Sequence, residues 1–457
     1  FVRGRQAMAA QARQLGYFEM FYGGFEKMSE YLERFKSTGA AEVAQTANTY
    51  FAPEKMCLVI QLPEGADAPD LTQLQLAAAE LTKGLKPPAA EAPKAVREVL
   101  PNGLVLIVKP QQALPLVAYS LAALGGQENE SNAQAGLYEL WAETLTRGAG
   151  GKTYQQLTTE LEDMAASLGG FAGKSTCGLS GSFLSSDWQR GLELLAMVWL
   201  KPDFPAGQIS KAKQEQLAGL RAQQNSPVAR AFIAFRRLLY GKHPYAHNPL
   251  GTAESLAKLK RDDLLAAHAK VKGPGGLVLS VVGDVEPVQV RAKVLELFGK
   301  LKGKVQAPAV ANVKQVEKPR DKAISDPQAK QTQIALGYVT PPAGDPIRLR
   351  LQLIQAILGG QGGRLFSDLR DKRSLAYVVQ PFVSTSAHGG AFVVYMAVGP
   401  GKEKEALAGL ARNLDDVRQK EPSKAELERA KAYLLGSQAI SLQKYGAQAM
   451  DMAMNEL

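Results

Sequence analysis

The chain has 457 residues, of which 46% are hydrophobic and 21% charged, an ordinary globular composition with length enough for two or three domains with full cores. Its 54 basic and 44 acidic residues leave a net charge of +10 spread along the chain, with no basic stripe interleaved with aromatics, which argues for a solvated surface and against nucleic-acid binding. Two cysteines, Cys57 and Cys177, make no disulfide framework, and no run of 18 apolar residues offers a membrane span.

In chain order, residues 1–63 read as two helices and a strand at 56–62, closed by Pro63. Residues 64–95 form a Pro/Ala-rich linker, stiffened by Pro87, Pro88 and Pro93. Residues 96–302 alternate strands with amphipathic helices and open on the hairpin signal Asn102-Gly103. A second linker, 303–327, carries Pro308, Pro319 and Pro327. Residues 328–457 open on a strand at 333–339. They continue with helices at 348–358 and 402–419 and a hairpin whose tip holds His388.

A long internal repeat adds to this order. Residues 1–11 align with residues 433–443 at an offset of 432, and a shorter echo pairs Ile209-Ser-Lys-Ala-Lys213 with Leu427-Glu-Arg-Ala-Lys431. The chain is therefore expected to be cut from a larger two-unit protein, with 1–63 the end of a preceding domain and 328–457 a truncated one. Residues 26–63 are then expected to dock where the truncated domain lacks its last helix and strand.

The densest chemistry lies in Gly359-Gly-Gln-Gly-Gly-Arg-Leu-Phe-Ser-Asp-Leu-Arg-Asp-Lys-Arg-Ser-Leu-Ala-Tyr377. Gly359, Gly360, Gly362 and Gly363 allow a tight bend or a close backbone approach. Arg370 offers a planar fork of donors and Tyr377 a phenolic hydroxyl, and together they could hold a peptide carbonyl or the oxyanion formed from it. A helix cap followed by a surface arginine fits the same residues. No Lys-Ser/Thr follows the glycines, so a phosphate cradle is excluded. No Gly-x-Ser-x-Gly elbow is present, and neither cysteine has a nearby histidine. His243 and His247 are four apart, but Pro244 and Pro249 oppose a helix there, so loop packing is expected for them.

The run 359–377 resembles the C-terminal half-site of the M16 zinc metallopeptidases, the pitrilysin and insulinase group. The resemblance covers about residues 97 to 457. It includes Leu100-Pro-Asn-Gly103, His243-Pro-Tyr245 through Gly251-Thr252, and Val281-Val-Gly-Asp284. It implies an α+β fold of repeated domains, each an antiparallel sheet with helices packed on one face. It also implies that Arg370 and Tyr377 bind the substrate carbonyl, beside substrate-binding glycines 359, 360, 362 and 363. The family's zinc helix is similar to Gly136–Gly148 in frame only: Glu139 and Glu143 stand at the ligand positions and Ala142 at that of the general base. The third ligand would fall near Gly219, where Ala218 and Leu220 offer no carboxylate. Leu168-Gly-Gly170 is followed by Gly173-Lys174 where the family has an Asn-Ala pair on a substrate-binding edge strand.

The resemblance thus implies a chain inactive alone and without a cofactor of its own. It would be the non-catalytic half of a zinc metalloendopeptidase, with zinc in the missing catalytic half. Its partners would be that catalytic M16 unit and an unfolded peptide substrate, in a periplasmic or secreted setting. A structural or assembly protein on the same fold is the alternative.

Overall fold

The structure, a computed structural model, describes residues 95–306, 309–325 and 329–457. The helices and strand expected in 1–63, most of the first linker, and the expected docking of 26–63 lie outside the described residues.

The Asn102-Gly103 signal makes the first turn. Gly103 takes φ 92° and donates its N–H to the Leu100 carbonyl at 2.8 Å, while the Asn102 side chain accepts from Leu104 N–H and donates to the Phe298 carbonyl. This closes a hairpin of β1 (Val96–Val99) and β2 (Val105–Pro110). With β3 (Leu116–Leu124), β6 (Ser167–Ala172), β7 (Thr176–Leu184) and β8 (Leu277–Gly283) they form a six-stranded sheet in the order β1-β2-β8-β3-β7-β6. A two-stranded ribbon, β4 (Gly148–Ala149) and β5 (Lys152–Thr153), lies between β3 and β6 in sequence. Every neighbouring pair in the main sheet is antiparallel except β2 and β8.

The central strand β3 shows how the sheet is covered. Val117, Tyr119, Leu121 and Ala123 point into the main core. That core is roofed by α1 (Leu137–Leu145), α3 (Trp188–Leu200), α7 (Arg261–Val271) and α8 (Pro287–Phe298). The intervening Ala118, Ser120 and Ala122 are small, as the two-residue period of a strand permits, and allow one helix to lie close on the opposite face. That helix is α12 (Tyr445–Glu456), which seats Tyr445, Ala449 and Ala453 on Ala118, Ala122, Val278 and Val282. Glu456 holds Arg97 at 2.6 Å at its end.

A second sheet, in the order β10-β11-β9, is built from β9 (Thr332–Thr340), β10 (Ala376–Ser384) and β11 (Gly390–Val398), all antiparallel. Along β11, Phe392, Val394, Met396 and Val398 face a core shared with α9 (Ile347–Leu358) and α10 (Glu403–Gln419). Ala391 and Val393 face Leu239 and Tyr240 of α5 (Pro227–Tyr240). The sheets thus exchange covers: α5 precedes the second sheet in sequence yet packs on it, and α12 follows it yet packs on the first. The architecture is α+β, with helices mainly on one face of each sheet and a single helix on the other.

The shorter echo has a counterpart in space. In both sheets an opening strand (β3 or β9) pairs with the second strand of a hairpin (β7 or β11), whose first strand (β6 or β10) forms the edge. The echoed segments fall on two long helices, α4 (Ala206–Asn225) and α11 (Lys424–Ser441), with Ala212 and Ala430 buried at matching positions.

In the main core the His268 ring lies against Trp141, Trp199 and Phe204 and bonds the Trp199 carbonyl through Nε2 at 2.7 Å. Burial pushes its pKa down from 6.5 to about 4. In the unfolded chain the ring takes a proton below about pH 6.5, and in the folded chain only near 4. Stability is therefore expected to be full above that window and to fall as pH drops through it. Chemical denaturation of the chain and of His268→Gln at several pH values checks this, the variant having a flatter slope between pH 6.5 and 4.

Candidate functional site

The two residues singled out by their spacing both sit on local irregularities. Gly359 ends α9, and the chain turns through Gly360 (φ 73°) with Gly363 N–H donating to the Gly360 carbonyl at 3.1 Å. A Cβ at Gly363 would lie 2.0 Å from the Gly359 carbonyl oxygen, so this glycine is required by the turn itself. Gly360 and Gly362 face open space and are exposed.

Residues Phe366–Lys372 then form a π-helix, a wide turn found mostly as short insertions and frequently at functional sites. It is fastened at several points. Asp368 accepts from Arg373 Nε at 2.9 Å and from Asn413 Nδ2 of α10 at 2.7 Å. Burial works against that carboxylate's charge, but the bonds from Arg373 and Asn413 hold its pKa below the ordinary value. Leu369 is fully buried against Gly409, where a Cβ would come within 2.5 Å of it. Just upstream, Arg364 makes a bidentate bond to Glu426 of α11 at 2.7 and 3.0 Å, which brings that carboxyl down to about 2.

Arg370 projects from this braced turn. Its guanidinium stacks 4.7 Å from the centre of the Phe366 ring, is exposed, and has no hydrogen-bond acceptor among the described residues. Tyr377 follows at the start of β10. The register of β10 against β11 shifts between Ala376 and Val378, so Tyr377 is the extra residue of a β-bulge. Bulges re-aim side chains and are over-represented beside active sites. Tyr377 is 59% exposed and its hydroxyl has no partner among the described residues. Two irregular backbone elements, joined by the short turn Arg373-Ser374-Leu375, thus present two unengaged donors to solvent.

The zinc-frame helix is different. On α1, Glu143 pairs with Arg147, and Arg147 also reaches Glu215 of α4 at 2.6 Å. The Arg147 side chain is only 8% exposed, so a guanidinium and two carboxylates occupy the neighbourhood that the frame would assign to a metal. Burial, and then the Glu143 charge, push Glu139 up in pKa, which disfavours the ionised form a metal ligand needs. The Ala142 backbone lies against Gly170 of β6, where a Cβ would fall 2.2 Å from the Ala142 carbonyl oxygen. Zinc favours histidine and cysteine ligands, and this set does not fit it. The chain is expected to bind no stoichiometric zinc. Elemental analysis after dialysis checks this, and about one zinc per chain, lost on changing Glu139 and Glu143 to Ala, would overturn it.

Other candidates fall into a buried seam where β6, β7 and the loop after α5 meet the β10–β11 hairpin. His243 accepts from Tyr245 N–H through Nδ1 and bonds the Ala311 carbonyl, while His247 reaches Asn132. Tyr245 is fully buried; its hydroxyl lies 2.5 Å from Ser175 Oγ, donates to Glu128 at 3.1 Å and accepts from His388 N–H at 3.3 Å. His388 Nε2 lies 3.6 Å from Glu128. Lys174 spans the seam, donating to Tyr240 and Ser384, and burial followed by the nearby Arg236 charge pushes its pKa down to about 8. The sequence names His243, His247, His388 and Lys174 but not the contacts that join them here, nor the pairing of Arg147 with Glu215, because these partners lie between 66 and 212 residues apart.

The two-sheet α+β architecture is shared with proteins of known structure. Residues 258–434 match the family described as the peptidase M16 inactive domain. The structure superposes with a TM-score of 0.72 on a peptidase M16 inactive domain from Pseudomonas fluorescens, at 27% identity, covering 79% of this chain and 87% of that one. A protease from Helicobacter pylori shares the fold, with a TM-score of 0.70 and 19% identity over 79% of this chain and 89% of its own. In sequence the chain is similar to an uncharacterized zinc protease of Mycobacterium tuberculosis strain H37Rv, at 26% identity over 375 residues, 81% of this chain and 85% of the relative. One of Mycobacterium leprae is 24% identical over 372 residues, 81% of this chain and 84% of the relative. Residues 258–434 thus carry the match to the M16 inactive domain, and the chain as a whole shares the fold of such a domain.

Proposed function

We propose that this chain is the non-catalytic half of an M16-type zinc metalloendopeptidase and that Arg370 and Tyr377 act on substrate bound by a catalytic M16 partner. The observation that carries this reading is the pairing of a π-helix at Arg370 with a β-bulge at Tyr377, each presenting an exposed, unengaged donor. Backbone irregularity of that kind is retained where a side chain must be aimed. The chemistry follows from the donors. A peptide carbonyl gains negative charge on oxygen as its carbon is attacked, so donors fixed at that oxygen bind the transition state more tightly than the ground state. The Asp368, Arg364 and Leu369 anchors would keep Arg370 in place without rearrangement during the reaction.

The zinc-frame positions, filled by Glu139, Ala142 and Glu143, supply no general base, so hydrolysis is assigned to the partner. An unfolded or extended peptide is the substrate class, since a scissile bond must enter between two halves. The test is reconstitution. Alone the chain should not cleave a quenched fluorescent peptide, and with its catalytic M16 partner it should raise that partner's kcat. A partner equally active without it would favour a structural or assembly role on the same fold.

A further inference from the structure

Three of the chain's four histidines, His243, His247 and His388, gather in the seam between the two sheets, and the contacts of two of them require an uncharged ring. His243 caps the 3₁₀ turn Pro244–Ala246: its Nδ1 accepts the Tyr245 N–H at 3.2 Å and its Nε2 donates to the Ala311 carbonyl at 3.0 Å. A proton added at Nδ1 would set that ring's donor against the Tyr245 donor. His247 donates through Nε2 to Asn132 Oδ1 at 2.5 Å, and its Nδ1 is buried with no hydrogen-bond partner among the described residues. A proton there would be a buried donor without an acceptor. The surrounding charges are mostly positive already. Lys174 donates to Tyr240 and Ser384, and Arg236 donates to the His247 carbonyl at 3.2 Å. Glu128 is the carboxylate of the cluster, bonded by Tyr245 and 3.6 Å from His388 Nε2. What these groups hold is the tip of the β10–β11 hairpin: the Tyr245 hydroxyl accepts from His388 N–H, and Ser175 Oγ accepts from Ala387 N–H, both at 3.3 Å.

We propose that this seam is a pH-sensitive latch between the two sheets, closed while His243 and His247 are neutral and released when they take up protons. Loss of the cap at His243 frees the turn that carries Tyr245, and with it the hairpin tip. Burial lowers both histidine pKa values from 6.5; at His243 the Ala311 carbonyl works against this, and the like charges of His388, Lys174 and His247 add to it. A closed seam therefore binds fewer protons than an open one, so closure is fully favoured above about pH 6.5 and weakens as the pH falls through it. Glu128 acts in the opposite sense. Burial raises its pKa above 4.5, so the closed seam keeps a proton there that an open carboxyl would release, which softens the response at the acid end. Lys174, pushed down to about 8 by burial and then by the Arg236 charge, is already charged below that value. Tyr240 and Tyr245, pushed up to about 12 by burial, stay neutral throughout. The inference concerns two parts of this chain and does not depend on the proposed function.

The readout is amide hydrogen exchange of the full chain at about pH 7.5 and about pH 5.5, corrected for the intrinsic rate, comparing residues 384–391 at the hairpin tip with the central strand β3. Protection at the tip should fall about tenfold or more on acidification, the scale of one proton taken up over one pH unit, while β3 keeps its own. His243→Asn retains a side-chain acceptor for the Tyr245 N–H, because asparagine is a good cap, and His247→Gln retains a donor for Asn132; neither replacement titrates. Together they should abolish the fall. Each alone should reduce it, which keeps the test readable if the double variant does not fold. His268→Gln, in the main core, should leave it unchanged. No fall in the unchanged chain, or a fall of full size in the double variant or in both single variants, would overturn the proposal. So would an equal loss of protection in β3 over the same range, which would mark general unfolding in place of a local release.

Discussion

Tyr377→Phe is expected to lower kcat by about 10²–10³ when the chain is assayed with its catalytic M16 partner, the loss typical of removing one oxyanion donor. The substitution removes one oxygen from an exposed side chain with no partner among the described residues, so stability should not change. Arg370→Lys should also be costly, because a flexible ammonium reproduces neither the planar fork nor the stacking on Phe366. Tyr433→Phe, at an equally exposed tyrosine of α11, serves as the control and should leave the kinetics unchanged. The informative split is between kcat and KM. A fall in kcat and kcat/KM together marks an interaction made in the transition state, whereas a raised KM with kcat intact would reassign both residues to uniform substrate binding.

Tyr245→Ala should cost about 3–5 kcal/mol of stability, the range for truncating a fully buried aromatic. Tyr245 ties three parts of the fold: its ring packs against Tyr240 and His243, and its hydroxyl joins Ser175, Glu128 and the His388 N–H. Burial raises the Glu128 pKa, and hydrogen bonding from Ser175, the His388 charge and Tyr245 lower it, so removing the hydroxyl leaves a buried carboxyl with fewer donors. Tyr245→Phe separates the two contributions and should cost about 1–3 kcal/mol, the penalty of stranding a buried polar group. Urea unfolding of both variants measures the difference. Equal, small losses would mean that the hairpin tip at His388 is not held by this seam.

The linear sequence alone determined the features in which a residue acts through its neighbours along the chain. The Asn102-Gly103 turn, the strand at 333–339, the hairpin with His388 at its tip, and the spacing from Arg370 to Tyr377 are all local, and each was legible because backbone geometry and strand period depend on nearby residues. The family resemblance was legible for the same reason, since its motifs are continuous stretches. The α+β class came with that resemblance. Tertiary structure decided what depends on distant residues. Nothing in the helix pattern of 445–456 distinguishes packing on the first sheet from packing on the second; the small side chains Ala118, Ser120 and Ala122, more than 300 positions earlier, made that choice. Glu143 read as a failed metal ligand in the sequence, and its engagement by Arg147 and Glu215 became visible only once α1 and α4 were side by side. The π-helix and the bulge were invisible for a related reason. Both are local departures from regular hydrogen bonding, and the π-helix is braced from α10, where Asn413 bonds Asp368 and Gly409 makes room for Leu369.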